Sequence, residues 1–311
     1  MRKITLCLVS AALFFAGSLA CHAVPIADLS EISDLSGSYE LTADAVLPDD
    51  FTPIGSSDAP FTGKFDGGGH TVSISGKAGL FGTAENAEIR NVSVIGTASG
   101  KSTVGGIVSA AKGTVIENCS FDGYLTPDVS GFTAYVGGIA GTTDKKTVIR
   151  NCVVNVKVTL ADTAYRTNIG GIVGLNRGLI SGCHADGRLS AEASLYRLTI
   201  GGIAGENRGD VTGCFNTASI SGTAAAEGIS VFAGGIAGYN QGSLFRVENS
   251  GKIAASGKSI YPGYAGGIAG ANVNGKITLA KNGGNVSAEA AFIGGGTGLN
   301  LGYKSGASLV N

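Results

Sequence analysis

Apolar and polar positions alternate in short runs along most of the chain, and the alternation itself repeats. The segment VGGIVS at 104–109 returns as VGGIAG at 136–141, IGGIVG at 169–174, IGGIAG at 200–205, and AGGIAG at 233–238 and 265–270. A variant, KAGLFG, stands at 77–82 and a degenerate IGGGTG at 293–298, so successive copies are 27 to 33 residues apart. A period in this range predicts a solenoid, in which each unit buries its apolar face only against its neighbours.

Aligned on this motif, the units form columns. The apolar residue before the Gly pair is Val104, Val136, Ile169, Ile200, Ala233, Ala265 and Ile293. A second column holds Ile89, Ile116, Ile149, Ile180, Val211, Leu244 and Ile277, and a third holds Ala98, Leu125, Val158, Leu189, Ile220, Ile253 and Val286. Enrichment in β-branched residues and a period of two predict strands, with no credible helical period. Like residues in like columns predict an all-β, right-handed parallel β-helix of about eight ~32-residue coils. Between the strands run N-x-G turns at Asn176, Asn207, Asn240 and Asn300, with Asn272 followed by Gly275. Asn and Gly tolerate left-handed backbone, and stacked Asn side chains can form a hydrogen-bonded ladder.

Residues 24–75 depart from the repeat and are read as an N-terminal cap. A solenoid needs its open strand edge covered. Residues 76–311 then form the solenoid. Residues 1–23 read as a signal peptide: Arg2 and Lys3, an apolar run, then small residues, with cleavage expected after Ala23 or Ala20. The sequence SLAC at 18–21 raises lipidation of Cys21, but Ser18 stands where a lipobox prefers Leu. No later apolar stretch reaches the ~20 residues a membrane span needs, so a secreted or cell-envelope location is expected.

Composition adds little chemistry. Charged residues are 14% of the chain, and removing Arg2 and Lys3 leaves 20 basic against 23 acidic side chains. Without a basic stripe, nucleic acid is not expected as a partner. Cys119, Cys152, Cys183 and Cys214 share one inward column. They read as a buried thiol ladder, with disulfides between neighbours as the alternative. No His or carboxylate joins them, so no metal site or cofactor is expected.

Candidate catalytic groups are few. His70 is followed by Thr71 and His184 by Ala185, so neither starts an H-E-x-x-H zinc motif. Asp66 and His70 in FDGGGHTV read as turn residues. Asp122 and Asp186 occupy equivalent positions two coils apart, ~9.6 Å by strand spacing, with Asn155 between them. An aromatic column with outward parity is the candidate binding surface for a glycan or protein: Tyr135, Phe232, Tyr264 and Phe292, interrupted by Asn168 and Thr199. Its neighbour (Phe132, Tyr165, Tyr196, Ile229, Tyr261) has inward parity and is expected to pack in a corner.

GGIVGLNRGLISGC at 170–183 and GGIAGENRGDVTGC at 201–214 resemble the GLUG motif. The run from Tyr39 through PFTGKFDGGGHTV to GLFG is similar to the segment that commonly precedes such repeats. GLUG repeats occur in IgA-cleaving metallopeptidases and bacterial surface adhesins, as accessory and not catalytic parts. The resemblance therefore implies an exported bacterial, non-enzymatic, adhesin-like module whose partners are host or bacterial surface glycans or proteins. A β-helical polysaccharide lyase or hydrolase, or a ligand-free spacer, is the alternative.

Overall fold

The computed structural model describes residues 23–76, 79–129, 131–160, 164–258, 263–289, 291–301 and 309–310. Nearly all of the expected signal segment, Cys21 included, lies outside these residues. The fold is all-β, a parallel solenoid. One coil runs through a short sheet (Val115–Glu117), a broad sheet (Ser120–Asp128), a pre-glycine sheet (Thr133–Gly137) and a post-glycine sheet (Ala140–Thr143). Eight strands stack in the post-glycine sheet, which sets the count at about eight coils.

The sequence columns are the registers of these sheets. Ile89, Ile116, Ile149, Ile180, Val211, Leu244 and Ile277 pair in succession through the short sheet. Ala98, Leu125, Val158, Leu189, Ile220, Ile253 and Val286 do the same in the broad sheet. Slipping by one residue would turn every core side chain to solvent, so burial locks the register.

The glycine pair works by close approach. A Cβ on Gly170 would strike the carbonyl oxygen of Val173 in its own coil, and one on Gly171 that of Gly202 in the next. Left-handed backbone is needed elsewhere, at the corner between the short and broad sheets. Asn91, Asn118, Asn151, Gly182, Gly213, Arg246 and Leu279 hold it, with φ from 52° to 61°. The last two are residue types that adopt this region at a cost.

Two asparagine ladders brace the interior. Each Nδ2 donates to the next Oδ1 from Asn176 to Asn207, Asn240 and Asn272, at 2.8, 2.8 and 2.7 Å. It also donates to the carbonyl two residues on, as Asn176 does to Gly178 at 3.2 Å. Buried amides are thereby satisfied. The second ladder, Asn216–Asn249–Asn282, replaces an apolar column in the last coils, with both links 2.8 Å.

The segment 24–75 extends the same sheets. Val24–Ile26, Ser38–Leu41 and Lys64–Asp66 lead into the short sheet, and Tyr39, Phe65 and Ile89 stack in one column. A 3-10 turn at Leu29–Glu31, capped by Asp28, and the loop at 47–63 interrupt these strands. Phe61, Phe65 and Phe81, with ring centroids 5.0 and 5.5 Å apart, fill the interior where the coils begin. At the other end Ile293 is 54% exposed, although Val104 and Ala265 in its column are at most 1% exposed.

Candidate functional site

The post-glycine strands fold back beside the pre-glycine strands, so the outward faces of these two sheets meet in a crease. Arg197 projects from one face and Glu206 from the other, forming an ion pair at 3.2 Å. Phe232 meets Tyr239 across the same crease, ring centroids 5.6 Å apart. This geometry decides the fate of the outward column. Tyr135, Asn168, Thr199, Phe232, Tyr264 and Phe292 do pair in succession. Asn168 and Thr199 nevertheless lie buried, and Phe232 is only 7% exposed.

The four aromatics are not gathered into one platform. Tyr135 stands apart, with the coils of Asn168 and Thr199 between it and Phe232. Phe232, Tyr264 and Phe292 stack on one another at 5.1 and 5.6 Å, and Phe292 is 58% exposed.

The neighbouring column departs from its expected corner packing. Phe132, Tyr165 and Tyr196 are 68%, 36% and 41% exposed, and only Ile229 is buried. Tyr261 lies outside the described residues. Phe132 stacks on Tyr165 at 4.6 Å and 22°, and Tyr165 on Tyr196 at 4.7 Å and 6°. The residues sit where the chain crests between the broad and pre-glycine sheets, and strand parity does not carry across a turn. Backbone bonds keep them in step: Arg166 N–H donates to the Phe132 carbonyl at 3.0 Å, and Arg197 N–H to that of Tyr165 at 3.1 Å. The signal available in the sequence was the Tyr-Arg pair, repeated at 165–166 and 196–197.

Those arginines lie beside the ring ladder. The Arg166 guanidinium sits 5.4 Å from the Tyr196 ring centroid, and that of Arg197 sits 5.0 Å from the Tyr239 ring. Both positions allow cation–π attraction.

The remaining candidates are engaged otherwise. Asp66 accepts from its own turn at Gly68 N–H (3.0 Å), from Asn91 (3.0 Å) and from Arg90 (2.9 Å). Burial would raise its carboxyl, but these donors outweigh that and hold it below the usual carboxylate range. His70 faces Asp44, 3.5 Å away, and not Asp66. The polar cleft of about 470 Å³ beside Asp66 is lined by groups already bonded to each other, such as Ser93 and Ser120 at 3.0 Å. Asp122 accepts from Asn155 at 3.1 Å, and Asp186 from the Gly187 N–H at 2.7 Å.

All four column cysteines are free and buried. Each thiol donates to the carbonyl two residues before it, at 3.3 Å for Cys119 and 3.4 Å for the other three. Hydrogen bonding to Cys152, then burial, pushes the Cys183 thiol up to about 12. Cys152 and Cys214 are shifted upward for the same kinds of reason. Such thiols are poor nucleophiles. Among the described residues no group of three or more His, Cys, Asp or Glu is placed to hold a metal ion.

No protein-family model and no curated protein matches the chain. A solved structure from Bacteroides ovatus, described as a candidate immunoglobulin A1 protease, is similar with a TM-score of 0.55 and 23% identity. The likeness covers 72% of this chain and 70% of that one. At this identity it shows a shared fold and no more.

Proposed function

We propose that the protein is an exported, non-catalytic binding module of the GLUG-repeat kind, adhesin-like, which holds a surface partner through the exposed ring ladder. The observation that carries this reading is the stack of Phe132, Tyr165 and Tyr196 at a crest of the solenoid. Three large rings left in water at consecutive coils cost solvation free energy, and such patches mark interaction sites. Rings held by backbone register also bind with little loss of conformational entropy. Export is supported by the basic, apolar and small-residue start of the chain. The repeat phrase supports the GLUG assignment. The non-catalytic reading rests on the absence of an H-E-x-x-H motif in the sequence and on the engagement of Asp66, Asp122 and Asp186 in local bonds.

The test is a glycan and host-protein array probed with the mature protein, run beside a polysaccharide-cleavage assay. Binding lost in a Phe132→Ala/Tyr165→Ala/Tyr196→Ala variant that still melts cooperatively is the expected result. Cleavage of any array polysaccharide, or binding indifferent to the three substitutions, would overturn the reading.

A further inference from the structure

The crease beneath the ring ladder carries more positive charge than its own carboxylate can balance. Arg166 and Arg197 are register neighbours in the pre-glycine sheet, so their guanidinium groups project from adjacent strands, which lie about 4.8 Å apart. Glu206, its side chain only 5% exposed, accepts from Arg197 at 3.2 Å and from Arg208 Nε at 2.6 Å. One carboxylate thus serves two arginines. Among the described residues Arg166 has none, because the residue paired with Glu206 in its own coil is Leu175. The Nε atoms of both Arg166 and Arg197 are buried without a hydrogen-bond partner. Among the described residues no acidic side chain is within ion-pair distance of Arg166, and its guanidinium lies against the Tyr196 ring. Partly buried like charges side by side are destabilising unless an anion answers them.

We infer that the tandem Tyr-Arg crest is a binding site for an anionic polysaccharide, one bearing carboxylate or sulfate groups on pyranose rings. The chemistry divides between two layers of the site. The planar guanidinium of Arg166 offers a fork of donors matched to a carboxylate or sulfate. Tyr165 and Tyr196 stand one residue away in each coil, and the exposed edges of their stack with Phe132 offer apolar surface to the C–H groups of a sugar. An acidic peptide answers the charge but leaves this ring ladder without a matching surface. The surplus is local, since the whole chain has a net charge of −1. This assignment rests on the binding-module reading and narrows its ligand.

The experiment uses the mature chain with polygalacturonate and chondroitin sulfate as carboxylate and sulfate probes. Dextran serves as the neutral probe and poly-glutamate as the peptide probe. Binding to at least one anionic polysaccharide, and not to dextran, is expected. Arg166→Gln should weaken it about tenfold or more, the loss of one charge-assisted contact, and Arg166→Lys should restore only part. Arg188→Gln, an equal charge change on the broad sheet, should leave affinity within about twofold, and melting curves show that each variant folds. Equal loss with Arg188→Gln, dextran bound as tightly as the acidic polymers, or poly-glutamate bound as tightly would each overturn the assignment. If neither acidic polymer binds while the array shows a neutral or protein ligand that depends on the rings, only this assignment falls. If the array is also silent, the binding-module reading falls with it.

Discussion

At the scale of single residues, the left-handed corner between the short and broad sheets shows what each coil requires and where two coils fail to meet it. Five of the seven corner positions carry Asn or Gly, and Arg246 and Leu279 carry the same backbone with φ of 52°. Their side chains add about 1 kcal/mol of strain each. Leu279→Gly and Arg246→Asn should therefore stabilise the protein by about 0.5–1 kcal/mol apiece, less for Gly because it also loosens the unfolded chain. Urea denaturation with an unchanged m-value checks this; a lower midpoint for both would show that the corner is not strained. The opposite is expected at the close approach: Gly171→Ala drives a methyl into the Gly202 carbonyl and should lower the midpoint strongly.

At the scale of elements, two side-chain ladders run through the stack with opposite demands. Asn207 receives from Asn176 and donates to Asn240, both at 2.8 Å, and is fully buried. Asn207→Leu leaves a donor on one side and an acceptor on the other unanswered, and should cost about 3 kcal/mol or more by denaturant titration. The thiol ladder has a pH signature. In the fold Cys183 stays protonated up to about 12, whereas the ordinary value is 9.0. A raised pKa means stability present in full below the unfolded value and lost as pH climbs toward the folded one. Stability should hold to pH 9 and then fall by about 1.4 kcal/mol per pH unit for each thiol that ionises only when unfolded. Denaturation curves at pH 7 and pH 10 test this, and replacing the four cysteines by alanine should flatten the difference. In a chain starting at Val24, a thiol reagent should find no reactive cysteine when folded and four when unfolded.

At the scale of the whole molecule, stability passes from coil to coil by nearest-neighbour contact, so it should fade where neighbours are missing. Phe61, Phe65 and Phe81 close the interior near the first coils. At the far end Ile293 and Leu301 are 54% and 53% exposed. Amides of Phe292–Leu301 should exchange with solvent orders of magnitude faster than those of Ile200–Asn207, and uniform protection would contradict the nearest-neighbour picture. What was legible beforehand was the interior: the Ile, Gly, Asn and Cys columns follow from the repeat alone, because identical residues in parallel register must share one environment. The second Asn ladder has no such signal, because Asn216, Asn249 and Asn282 stand where earlier coils place apolar residues such as Val154 and Ala185. The surface was not legible in the same way. Whether Phe232 is covered depends on how one sheet folds back beside another, and whether Tyr165 is exposed depends on where the chain crests between sheets. Both are distances between segments that meet only in three dimensions, and no periodicity along the chain encodes them. The repeat therefore dictates a stacked β-solenoid and its buried columns, whereas which outward rings and charges face water together follows from how the sheets fold against one another.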